Sequence, residues 1–172
     1  PFTKNKTLVL ICNICDPITG EDYTRDPRTI ARKAEKYLLS TGLGDAAYFG
    51  PEPEFFIFDQ VRWNVDMSGC FVKIDSEEAS WSTGEKIEGG NRAHRPAVKG
   101  GYFPVPPVDS LQDMRSEMCL LLEQMGIPVE VHHHEVAGAG QCEIGTRFST
   151  LVQRADWLQL QKYIIQNVAH AY

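Results

Sequence analysis

The sequence predicts an α+β fold, a largely antiparallel sheet with flanking helices. Three observations predict it. Short apolar runs of strand character recur between clusters of turn-forming residues. Three other stretches repeat their apolar residues at helical spacing. Strands and helices do not alternate as a parallel βαβ sheet requires. At 172 residues with 42% hydrophobic content, the chain can bury a real core.

Taken in order, residues 7–15 read as a strand, with a turn-rich stretch from Asp16 to Gly20. Asp26-Pro27 supplies an N-cap and a proline suited to the first helical turn. Ile30, Ala34, Tyr37 and Leu38 keep helical spacing, and Gly42 and Gly44 end that helix. The composition shift near Asp26 marks a boundary between 1–25 and 26–172. Residues 46–62 read as a strand broken at Pro51 and Pro53. From about Asn64 to Gly101 the chain is polar and irregular, which suggests a functional loop or insertion containing a short hairpin. Ser110 and Asp113 resemble a capping box, and Leu111, Met114, Met118, Leu121, Leu122 and Met125 form the buried stripe of a helix closed by Gly126. Strands at 127–137 and 141–148 are joined by Gly138-Ala139-Gly140. Leu151, Ala155, Leu158, Ile165, Ala169 and Tyr172 begin a last helix. A start in a strand and an end inside an amphipathic pattern read as an internal piece of a longer protein.

A net charge of −6 with no basic stripe argues against nucleic acid or anionic membrane as partner. No apolar run approaches membrane-spanning length. Five cysteines at irregular spacing do not make a disulfide framework, so a reduced, cytoplasmic setting is expected.

Four glutamates carry most of the chemistry. Glu52 and Glu54 are two apart, so on a strand both point to one face. Strand alternation puts Gln141, Glu143, Gly145 and Arg147 on one face and Cys142, Ile144 and Thr146 on the core face. Glu135 lies across the glycine turn and faces Glu143 if the two strands pair, with His133 on its side. Glu130, His132 and His134 fall on the opposite face, so a site using both Glu130 and Glu135 needs a bulge. Carboxylates that interrupt apolar strands are costly to bury unless a cation faces them, and hard divalent ions suit such oxygens. The plainer reading of Glu52 and Glu54 is a pair of solvated edge charges.

Other motifs are weaker. His132-His133-His134 invites zinc, but adjacent strand residues cannot converge on one ion. Cys12 and Cys15 have redox spacing without opening a helix, and Gly100-Gly101 is not followed by the lysine of a phosphate-binding loop. Gly100-Gly101 permits close backbone approach to a ligand or a tight turn.

The stretches Tyr48-Phe-Gly-Pro-Glu-Pro-Glu-Phe-Phe56, Lys99-Gly-Gly-Tyr-Phe-Pro-Val-Pro-Pro-Val-Asp-Ser110, Val131-His-His-His-Glu-Val-Ala137 and Ala139-Gly-Gln-Cys-Glu143 together resemble type I (bacterial) glutamine synthetase in order and separation. The resemblance implies an internal fragment: 1–25 ending an N-terminal β-grasp-like domain and 26–172 opening the catalytic domain. It implies Glu54, Glu135 and Glu143 as ligands of one Mg²⁺ or Mn²⁺ ion and Glu52 as a ligand of a second. It also implies Glu130, Tyr102 and Phe148 beside ATP, and His133 near the transferred phosphate. The implied activity is a glutamate–ammonia ligase of nitrogen metabolism. It joins L-glutamate to ammonium through γ-glutamyl phosphate, in a homo-oligomer (a dodecamer) whose active site is shared between subunits. The second ion's remaining ligands, the substrate arginines and the ammonium-site aspartate fall outside this chain, so the chain alone is expected to be inactive. Cys142 stands where the family has asparagine, and alternation turns it away from Glu143. Three alternatives stand beside this one: a γ-glutamyl-polyamine or anilide ligase, a cupin-type oxygenase and a non-catalytic paralogue. Gly138 and Ala139 stand where the cupin acid belongs, and a paralogue would be expected to lose the metal glutamates.

Overall fold

The structure, a computed structural model, describes residues 2–81 and 95–172. The chain divides into two compact units, one of Pro1–Pro51 with Arg147–Ala171 and the other of Glu52–Thr146 with Tyr172.

In the first unit, α1 spans Pro27–Thr41. Asp26 caps it, its carboxylate accepting from the Thr29 amide at 3.1 Å and the Thr29 hydroxyl at 2.9 Å. Gly42 ends it in the left-handed region. Strand β1 (Tyr48–Phe49) pairs antiparallel with β7 (Ser149–Thr150), and α3 (Leu151–Ala171) follows at once. Glu35 of α1 accepts from the Val152 amide at 3.0 Å and so supplies the side-chain acceptor that the start of α3 needs. Arg28 grips Asp156 through two bonds of 2.8 and 2.9 Å.

One expectation changes here, and the two expected helices bury faces that their apolar spacing does not mark. Residues 7–14 form no ladder among the described residues, and Leu8 and Leu10 are 80% and 69% exposed. An apolar run becomes a strand only where a neighbouring edge pairs with its amides, and none is offered here. In α1, Ile30 and Tyr37 lie exposed, whereas Thr29 is buried. In α3 the buried positions are Arg154, Gln161, Ile164 and Val168, one step round from the apolar stripe. Two of these are polar, so hydrophobic periodicity misses that face.

In the second unit, β2 (Glu54–Phe56), β6 (Gln141–Thr146) and β5 (Val129–His134) form an antiparallel sheet in the order β2-β6-β5. The predicted hairpin forms from β3 (Gln60–Asp66) and β4 (Gly69–Asp75). Residues 82–94 of the expected functional loop lie outside the described residues. Helix α2 (Gln112–Gln124) packs on β5 and β6. Met118, Cys119 and Leu122 of α2 join Ile127, Cys142 and Ile144 in the core, while Met125 of the expected stripe is exposed. Full burial of a residue such as Met118 or Leu122 contributes about 1.5–3 kcal/mol. Ser110 does not cap α2. The N-cap is Leu111, which makes no side-chain cap bond. The Ser110 hydroxyl donates to Glu78, a buried charge that competes successfully for it.

Candidate functional site

The site is built on the sheet. Glu54 sits opposite Glu143, and Glu143 opposite His133, so the three occupy one row across β2, β6 and β5. Directly opposed residues share a face of a sheet. Glu135 lies just past β5, its amide donating to the Gln141 carbonyl at 2.9 Å. The His133 ring stands between the two acids, Nδ1 3.6 Å from Glu135 and Nε2 3.5 Å from Glu143. Ligand atoms of His133, Glu135 and Glu143 all lie within 4.8 Å of one another. Gln141 donates to Glu54 at 2.6 Å and accepts from the Ala137 amide at 2.6 Å, tying Glu54 to the turn after Glu135.

Electrostatics join Glu52 to this group. Burial raises the proton affinity of the Glu143 carboxyl, the nearby His133 lowers it, and the charges of Glu52, Glu135 and Glu54 raise it further. The charges of three other carboxylates thus bear on the buried Glu143. Such a donor set fits a hard divalent cation, whose charge would offset the repulsion. Cys142 points away, as alternation requires. It is fully buried near Arg115, and burial pushes its thiol up to about 11.

Glu130 sits at a register shift between Val129 and Val131, an irregularity of the kind that a site using both Glu130 and Glu135 would need. Tyr102 and Phe103 set their rings 5.9 and 5.0 Å from that of His133. Phe148 lies in the other unit, edge-on to Tyr48 at 5.6 Å. The histidines separate as strand geometry dictates: His133 faces the acids, while His134 turns into the interior and His132 lies near Arg115. Cys12 and Cys15 are exposed free thiols.

Two glycines are required by close approach. A Cβ on Gly140 would stand 2.2 Å from the Ile57 carbonyl, and its φ is +76°. A Cβ on Gly101 would stand 2.6 Å from the Glu135 carbonyl. Of the two readings of Gly100-Gly101, a turn is found, the Gly100 amide donating to the Ala97 carbonyl at 2.8 Å, and at Gly101 the close approach is to the chain itself.

Sequence reasoning missed Glu78, which is 3% exposed. It accepts from the Ser110 amide and hydroxyl, the Gly140 amide and His134. Burial alone would raise its carboxyl, but these donors outweigh it and hold the group at about 2. His134 is raised: burial opposes its charge, and the Glu78 contact prevails. One of two adjacent glutamates in a polar stretch carries no periodic signal, so nothing local singles it out.

These features define an α+β protein with an acidic centre on a three-stranded antiparallel sheet. Comparison with known proteins makes this particular. The family model "Glutamine synthetase, catalytic domain" matches residues 24–172. The chain is 72% identical to a 3-hydroxylaminophenol mutase of Cupriavidus pinatubonensis. It is 63% and 58% identical to the glutamine synthetases of Methylococcus capsulatus and Escherichia coli K12. Each match covers all of this chain but 36–37% of the relative, so the chain spans little more than a third of their length. A Plasmodium falciparum glutamine synthetase structure superposes with a TM-score of 0.76 at 30% identity, over 88% of this chain and 30% of that one. The chain belongs to the glutamine synthetase family, and its fold is similar to that family's catalytic domain.

Proposed function

We propose that the complete protein ligates ammonia to L-glutamate at the expense of ATP. One observation carries the reading: Glu54, Glu143 and His133 stand in one row across the sheet, and His133, Glu135 and Glu143 bring ligand atoms within 4.8 Å of one another. In a chain of this family, that place is the cation centre. Glu54, Glu135 and Glu143 would hold one Mg²⁺ or Mn²⁺ ion, and Glu52 would contribute to a second. Bound there, such ions neutralise phosphate oxygens and polarise the transferring group.

The chain's residues then divide the remaining work. His133 is the cationic or donor group beside the transferred phosphate. Glu130, Tyr102 and Phe148 take the nucleotide-contacting roles that the family resemblance assigns them. The glutamate γ-carboxylate attacks the γ-phosphorus, ADP leaves, and ammonia displaces phosphate from γ-glutamyl phosphate. Positioning and electrostatics supply most of the rate. The homo-oligomer is a dodecamer whose active site takes residues from a neighbouring subunit. Residues 1–25 close an N-terminal β-grasp-like domain, and 26–172 open the catalytic one. No helix among the described residues is long and apolar enough to cross a membrane, which agrees with a cytoplasmic enzyme.

The test is Glu54→Ala and Glu143→Ala in the complete protein. Each is expected to abolish Mn²⁺-supported glutamine formation while circular dichroism stays unchanged, and normal turnover in either would refute the reading. Ammonia assayed against polyamines and aniline separates the γ-glutamyl-amine ligase alternative. The 72% identity to a protein named 3-hydroxylaminophenol mutase favours a second reading, an isomerase acting on that compound. Conversion of 3-hydroxylaminophenol without glutamine formation would decide for it.

A further inference from the structure

Glu78 carries none of the roles proposed above, yet its carboxylate is the meeting point of three separate segments. Oε1 accepts from the Ser110 amide at 2.9 Å and the Ser110 hydroxyl at 2.8 Å, just before α2. Oε2 accepts from the Gly140 amide at 2.7 Å and lies 2.8 Å from His134 Nε2. The other ring nitrogen, Nδ1, lies 2.7 Å from the Gly101 carbonyl and 2.9 Å from the Glu135 carbonyl. Both neighbours are acceptors, so Nδ1 carries a proton and donates.

Two branches leave this carboxylate, and each ends on a glutamate of the acidic centre. One runs through His134 to the peptide of Glu135. The other runs through Gly140 to Gln141, whose amide holds Glu54. Stability alone does not call for this arrangement, because a buried ion pair is often no better than well-packed apolar groups. What four bonds on one rigid carboxylate supply is direction. The acids of the centre repel one another, and without a fixed backbone they would splay apart.

We propose that Glu78, acting through His134 and Gly140, is a positioning residue that holds Glu135 and Glu54 in the geometry that binds a divalent cation. The inference rests on the cation centre assigned under the proposed function.

The experiment is a Mn²⁺ titration of the complete protein without ATP, read by electron paramagnetic resonance, with melting followed by circular dichroism. Glu78→Ala is expected to weaken Mn²⁺ binding by about 10–100-fold, the usual effect of removing an outer partner of a metal ligand. Glu78→Gln, whose amide oxygen can still serve Ser110, is expected to lie between it and the wild type. Met118→Ala, a core truncation that removes none of these hydrogen bonds, should melt early yet bind Mn²⁺ as the wild type does. Wild-type protein that takes up no Mn²⁺ would overturn the cation centre and this inference with it. Wild-type uptake with unchanged affinity in Glu78→Ala would overturn this inference alone. So would a loss that Met118→Ala reproduces. If Glu78→Ala does not fold, Glu78→Gln decides, and affinity within about twofold of wild type overturns the role, being well below the loss expected for an outer partner.

Discussion

Replacing Gly101 with alanine probes how tightly the backbone beside Glu135 is packed. The new Cβ would stand 2.6 Å from the Glu135 carbonyl oxygen, and 2.8 and 3.0 Å from Cε1 and Nδ1 of His134. Ordinary contact begins near 3.4 Å, so something must move by about 0.8 Å. Neither neighbour is the loose end of a flexible chain. One is backbone, and the other is a ring bonded to Glu78 and to the Gly101 carbonyl. Overpacking of this kind costs about 1–3 kcal/mol. In a domain of this size that lowers the melting temperature by roughly 2–4 °C per kcal/mol. A displacement near 1 Å in a catalytic constellation lowers rate by about 100-fold. For the function proposed above, the assay is glutamine formation by the complete protein at saturating substrates, with thermal melting alongside. A fall in kcat of about 10–100-fold is expected. Gly44→Ala, whose Cβ would meet nothing closer than 3.8 Å, should be neutral. Wild-type turnover and melting in Gly101→Ala would refute the packing argument.

Three further outcomes follow from the same structure. Glu78 is held at about 2 against an ordinary 4.5, so its ionised form contributes roughly 3 kcal/mol at neutral pH. That contribution is present above about 4.5 and is lost as pH falls toward 2, so Glu78→Gln should be less stable at pH 7 and flatten the acid limb of a stability–pH curve. An unchanged acid limb would contradict the assignment. Glu143→Gln removes one of the crowded charges. The cation-free protein should melt no lower than wild type, and the gain from Mn²⁺ at 100 times the wild-type Kd, about 2.7 kcal/mol, should largely vanish. Retention of that gain would place the ion elsewhere. Asp109→Ala strands the buried Arg115 guanidinium, which is 1% exposed, and should cost about 3–5 kcal/mol in urea unfolding. A loss below about 1 kcal/mol, the range of surface pairs, would show that Arg115 finds another partner.

Much of the site was legible because its signals are local. Asp26, Pro27 and Gly42 announce the ends of α1 through caps that act within one turn. The alternation that separates Glu143 from Cys142 follows from the pleat of a single strand, whereas Glu52 lies before β2, so its spacing from Glu54 is not set by that pleat. The register shift that a site using both Glu130 and Glu135 would need is found between Val129 and Val131. The exposed segment 7–14 went the other way, since strand character is latent until an edge pairs with it.

The sequence by itself determined the chemistry available: which acids lie on strands, which face they take, and which glycines the turns need. Only the tertiary structure decided who meets whom. Register set Glu54 opposite Glu143 and Glu143 opposite His133. Burial drew Ser110, His134 and Gly140, which lie 32, 56 and 62 residues along the chain, onto Glu78 and away from the cap that Ser110 promised. The reason is physical: periodicity reports a residue's own turn or pleat, whereas Coulomb forces and hydrogen bonds depend on distance in space, which the folded chain alone supplies.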